Sequence, residues 1–334
     1  MPEQVGTGTV QDNLRTGPDS IPKEQECTNS EKRSKSVRKN QRSRVFLLFA
    51  AVLAVSVIAM AILSVDLAYR RWSDLGLVVL DRALPAPTGL FAPPPLEAID
   101  PTVHCEMLDW DAEGNLDSSV RGLGKTPVNP EILAGRLNHF CNTRNIRVIV
   151  LDGPQAWKSS HNGLEHARVS ERQLNTPAKT GLPGLVKPIS YRPFAEFCLD
   201  VYDALSRRGW RRLDTHQQPG SLPDRILVES YPHAAWKSLG LSPLPSKRRA
   251  RISDLAEAFA ALHALIPLST THPPNHDQLQ AIVGGLPGLA LDERDTAGAH
   301  FVGHPPRREE GHWREGFIVL PVAPLDARKN GWLS

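Results

Sequence analysis

Two short apolar runs separated by a polar turn constrain this chain most: Ala61 to Val65, then Leu75 to Leu80, within AILSVDLAYRRWSDLGLVVLDR. Runs this short and this uniformly apolar suit strands covered on both faces. The first run ends on Asp66. A carboxylate at the end of a buried strand is costly unless it caps a turn, is paired, or holds a metal. The same placement recurs three more times along the chain.

Val103 to Trp110 reads as a third strand, after a Pro-rich connection, Leu84 to Pro95, expected to run extended. Helical spacing of Ile132, Leu133, Leu137, Phe140 and Cys141 predicts a helix over Pro130 to Arg144. The strand Ile146 to Leu151 then ends on Asp152-Gly153-Pro154. Residues 155–190 are turn-rich and read as loop. Pro193 to Arg208 is an amphipathic helix, and the strand Arg225 to Val228 runs into Glu229. Ile252 to Ile266 is a helix preceded by SKRRAR, whose basic residues stand on the unfavourable end of the helix dipole. They read as a solvated basic end or as a place for an anion. Asn275 to Leu291 is a last helix, interrupted at Gly284, Gly285 and Pro287, with Asp277 in its first turn. An edge strand is expected at Phe317 to Leu320 within a polar tail.

Strand, strand, strand, helix, strand, helix, strand, then helices is the order of an α/β ribonuclease-H-like domain. Its mixed sheet joins an antiparallel meander to parallel strands and is flanked by helices. Acidic residues at strand ends and on the last helix then converge on one edge, which makes Asp66, Asp152, Glu229 and Asp277 the candidate catalytic and metal-binding set. Crowded carboxylates repel, and a divalent cation removes that penalty. Oxygen-only ligands suit Mg²⁺ or Mn²⁺, and paired ions of this kind serve phosphodiester hydrolysis.

SVDLAYRRWSDLGLVVLD, IVLDGP, VESYPHAAW with the basic stretch after it, and NHDQLQAIVGG resemble domain-of-unknown-function family 429. The resemblance covers roughly Met60 to Leu320. It implies a ribonuclease-H-like predicted nuclease acting on nucleic acid, with the same four acidic residues at work. The sequence departs from the family in the insert Leu84 to Ala98 and at Gln280, where relatives place a second acid.

The competing readings are a binding or scaffold protein that keeps the fold without full metal ligation, and an ATP-handling relative of the actin and sugar-kinase branch. The latter needs a Gly-rich loop after the first strand, where this chain has AYRRWSD. Gly124-Lys125-Thr126 is not a P-loop, because Ser119 stands at its first Gly and Pro127 blocks the following helix. No HExxH or GxSxG motif occurs. His276, His233 and Lys179 stand where they could touch water, metal or phosphate, though each reads more simply as a solvated side chain.

Residues 1–44 carry nine Lys or Arg against six Asp or Glu, accounting for the whole formal charge of +3, and are expected to be a disordered basic tail. The remainder is neutral and lacks the broad basic footprint of many nucleic-acid binders. Val45 to Val65 is uncharged and about long enough to span a bilayer, yet Ala61 to Val65 is also claimed by the sheet. Residues 45–59 are then either a membrane anchor or an extension upstream of a start at Met60. Residues 60–321 form the domain and 322–334 a tail. Cys27, Cys105, Cys141 and Cys198 are widely spaced, with no CxxC pair. They read as thiols of a reducing compartment, so a cytoplasmic protein is expected, with membrane anchoring through one N-terminal helix as the alternative.

Overall fold

The computed structural model describes residues 60–82, 102–110, 116–117, 126–214, 223–294 and 297–323. The expectations for residues 1–44, for 45–59, for the Pro-rich connection and for most of the tail 322–334 lie outside the described residues.

The main path of the sheet is formed by β1 (Met60–Asp66), β2 (Gly76–Arg82), β3 (Val103–Trp110), β4 (Val148–Asp152), β5 (Ile226–Ser230), β6 (Leu268–Thr270), β7 (Ala299–Val302) and β8 (Ile318–Pro321), with the two-residue strands Leu116–Asp117 and Arg211–Arg212 paired to β3 and β5 beside it. The helices are α1 (Pro130–Arg144), α2 (Val169–Leu174), α3 (Arg192–Arg207), α4 (Pro232–Ser238), α5 (Ile252–Leu265) and α6 (His276–Asp292). The sheet order is β6-β3-β2-β1-β4-β5-β8-β7. β1, β2 and β3 form the antiparallel meander, while β4 and β5 join β1 in parallel. This is the ribonuclease-H-like arrangement that the element order predicts.

The sheet is buried on both faces, as the unalternating strands require. Leu63, Val65, Leu77, Val79, Ile149, Leu151 and Leu227 pack with α1 and α3. Ile62, Val78, Leu80, Val148, Val150 and Val228 pack with α4 and α6. Helix α1 starts where Asn129 accepts the Ile132 N–H and Pro130 supplies the first turn. It ends at Asn145, which takes the left-handed conformation.

Three expectations are corrected. Met60 to Val65 lie in β1, so they are not the end of a membrane helix; no helix among the described residues is long and apolar enough to cross a bilayer. Phe317 to Leu320 is not an edge, because β8 runs between β5 and β7, and β7, hidden in the polar tail, takes the edge. Nor is the last helix interrupted: α6 continues through Gly284, Gly285 and Pro287. Tertiary contact overrides the local penalty. The glycines bring α6 onto the sheet, and the Ser64 hydroxyl donates to the Ala281 carbonyl at 2.6 Å.

A methyl group at Gly285 would stand 2.6 Å from Ser64 Cβ and 2.8 Å from Leu80 Cδ1. Gly285→Ala is therefore expected to destabilise by about 1–3 kcal/mol through overpacking, although Ala is the better helix former by about 1 kcal/mol. Urea denaturation reads the sign; a stabilised variant would mean that α6 does not sit this close.

Candidate active site

The parallel pairing of β1 with β4 puts Asp66 opposite Asp152, and both strands end there. Carboxyl ends of parallel strands are where open α/β sheets hold ligands. By the strand alternation Asp66 shares the side of Ile62 and Ser64, and Asp152 that of Val148 and Val150, which is the α6 side. Helix α6 delivers Asp277 in its first turn to the same edge. Its backbone passes so near Gly76, the β-bridge partner of Asp66, that a Cβ there would lie 2.4 Å from the Asp277 carbonyl carbon. Three of the four predicted acids are thus brought together.

Asp66 and Asp152 are half-buried and lie within hydrogen-bonding reach of one another, an arrangement that favours the protonated form of the pair. Burial pushes Asp66 well above the usual carboxylate range. The negative charges of Asp152 and Asp277 add to this, and Lys247 opposes it. Burial also pushes Asp152 up to about 7, with the charge of Glu229 contributing and the bond to Asp66 working against it. Lys247 Nζ donates to Asp277 Oδ2 and, at 3.3 Å, to Asp74 Oδ1. His276 lies between Asp277 Oδ1 at 3.3 Å and the Pro245 carbonyl at 2.9 Å.

Glu229 is placed differently. The register pairs it with Leu151, and the residue opposite Asp152 is Ser230. Its side chain therefore falls on the α3 side of the sheet. Both its oxygens are taken: Arg168 Nη1 donates to Oε2 at 2.7 Å, Arg168 Nη2 to Oε1 at 2.6 Å, and the Gln155 N–H to Oε2 at 3.0 Å. Arg168 also donates from Nε to Glu171 Oε1 at 3.1 Å. Glu171 in turn accepts from the Thr180 N–H and hydroxyl. The Glu171–Arg168–Glu229 triad is almost wholly buried, with Arg168 1% exposed. Burial nonetheless raises Glu229, which Arg168 only partly offsets.

Sequence reading passed over Arg168 and Glu171, which sit in a stretch read as loop. Their spacing of three residues in ARVSERQ becomes a signal only once α2 is known. Lys247 belongs to the basic stretch singled out for an anion, and here it meets carboxylates of its own chain. Lys179 donates to the Glu171 and Thr176 carbonyls, so it acts as a loop brace. His233 is exposed and lies against Tyr231, with ring centroids 5.8 Å apart. Gln280 accepts from the Trp236 indole at 2.9 Å, a packing role. Cys105, Cys141 and Cys198 are buried free thiols.

A metal can be judged against these donors. In kind they fit a hard divalent cation: the donors are carboxylate oxygens only, and burial of Asp66 and Asp152 favours protons that a cation would have to displace. In arrangement, no group of three or more His, Cys, Asp or Glu among the described residues is set to hold one. Lys247 already supplies positive charge to Asp277.

No family model matches the chain, and no curated protein does. Among solved structures the chain is similar to the Thermus thermophilus RuvC structure, at 12% identity and a TM-score of 0.29, over 71% of this chain and 95% of that one.

Proposed function

We propose that this chain is a divalent-metal-dependent phosphodiester hydrolase acting on nucleic acid, with Asp66, Asp152 and Asp277 as its working carboxylates. Membership of family 429 is part of the same proposal. The observation that carries it is the Asp66–Asp152 pair, two carboxyls opposite one another at the ends of adjacent parallel strands, beside a third acid. Such pairs cluster at functional sites, because a fold gains nothing from keeping them unpaired. Mg²⁺ or Mn²⁺, when bound, would polarise the phosphodiester and lower the pKa of the attacking water. Asp66 and Asp152 would give up any proton they hold and face the cation. Asp277 would turn from Lys247 toward it, freeing the ammonium for a phosphate oxygen. Glu229, saturated by Arg168, stays outside this set and holds the β5 end in place. Buried free thiols favour a reducing, cytoplasmic setting.

One observation favours the second reading, a binding or scaffold protein: Lys247 already neutralises Asp277. Calorimetric titration with Mn²⁺ near neutral pH, in two buffers of different ionisation enthalpy, separates the two. The hydrolase should bind Mn²⁺ with release of about one proton, and should cleave a labelled oligonucleotide only when Mn²⁺ or Mg²⁺ is present. A protein that binds no Mn²⁺ is a scaffold.

A further inference from the structure

Asp152 also borders a cavity of about 210 Å³. Three aromatic side chains from three separate elements border it: Tyr191, at the end of a short 3₁₀ turn; Phe194, on α3; and Tyr231, between β5 and α4. Pro154 and Pro177 complete its apolar wall. The strap leading into it is itself apolar and open. Leu182, Leu185, Ile189 and Tyr191 are 39%, 54%, 69% and 38% exposed, and they are four of the six large apolar residues exposed among the described residues. Large apolar side chains concentrated on one exposed strap beside a cavity mark a binding surface.

We propose that this cavity receives one base of a single-stranded nucleic acid, stacked against Tyr191 with Phe194 and Tyr231 behind it, while the adjoining phosphate lies at the acidic cluster. The proposal rests on the hydrolase reading for its partner class and names the substrate contact within it. Three features select a base. The volume is below the 300 Å³ or so at which pockets begin to take drug-sized ligands, so it suits one small planar ring. The one cation lining it, Arg168, is held between the two carboxylates Glu171 and Glu229; the cavity has no surplus positive charge to offer a phosphate. Finally, Asp152 forms part of both the cavity wall and the acidic pair, so whatever fills the cavity touches the site. Residues 45–334 are neutral overall, and aromatic stacking supplies affinity for single strands without a broad basic surface and without reading sequence.

Fluorescence anisotropy in EDTA tests this with two probes: a short labelled oligodeoxyadenylate and an abasic phosphodiester of equal length. The oligodeoxyadenylate should bind at least about tenfold more tightly. Tyr191→Ala should remove that advantage and Tyr191→Trp should keep it. Tyr191 is exposed enough that neither change threatens the fold. Equal affinity for the two probes, no binding of either, or an advantage that survives both Tyr191→Ala and Phe194→Ala overturns the inference. Mn²⁺-dependent cleavage without a base advantage would sink the pocket and leave the hydrolase standing. A base advantage in a protein that binds no Mn²⁺ would do the reverse.

Discussion

Arg168→Met is expected to destabilise the protein by about 3–5 kcal/mol, the cost of stranding buried charges when one member of an ion-pair network is removed. Arg168 sits between Glu171 and Glu229 and is 1% exposed. Methionine fills a similar volume and leaves both carboxyls without their cation. One or both must then take up a proton, so the loss should be smaller at low pH than at neutral pH. Replacing both carboxylates as well, in Glu171→Gln with Glu229→Gln on the Arg168→Met background, should recover part of the loss, because an apolar or neutral set avoids the desolvation that the ions suffer. Urea denaturation of the single and triple variants decides the matter. A loss below about 1 kcal/mol would mean that water reaches the triad.

Asp66→Asn is expected to raise stability while abolishing cleavage. The amide can donate to Asp152 as a protonated carboxyl does, and one of two repelling acids is gone. Both native carboxyls hold their protons above the unfolded value of about 3.9, Asp152 up to about 7. Above the unfolded value the native state binds protons that the unfolded chain has released, so wild-type stability should fall as pH rises through neutrality. In Asp66→Asn this slope should shrink, leaving the variant more stable by about 1–2 kcal/mol near pH 8, after allowing for the partial exposure of the pair to solvent. Cleavage should drop at least about a thousandfold, with Mn²⁺ affinity lost in parallel. Melting curves across pH and Mn²⁺ calorimetry read both effects. A destabilised variant that still binds Mn²⁺ would make Asp66 a turn cap.

What was legible in the sequence was local. The apolar runs that became β1, β2 and β4 and the helical spacing of α1, α3 and α5 are set by neighbours within a few residues, and their bounds fall close to expectation. Asp66, Asp152 and Asp277 could be placed at one edge because strand ends and the first helical turn are also local features. Glu229 shows where that reasoning stops. Being last in a strand says nothing about which face a side chain takes; that is fixed by the pairing of Leu151 with Glu229, between strands far apart in the chain. The Arg168 that claims it lies 61 residues away. The unbroken α6 was hidden for a related reason. Its glycines read as breaks in isolation and as points of closest approach once Ser64, Leu80 and Val150 lie beneath them.

Helix α6 also sets an order of events. It covers one whole face of β1, β2 and β4, and it is the segment that carries Asp277. Asp66 and Asp152 emerge from synthesis well before it. Until α6 docks, Ile62, Val78 and Val150 have no cover and the acidic pair has no third member. Completing the core and bringing the third carboxylate to the acidic pair are therefore one step, which cannot be taken before residues 276–292 have been made.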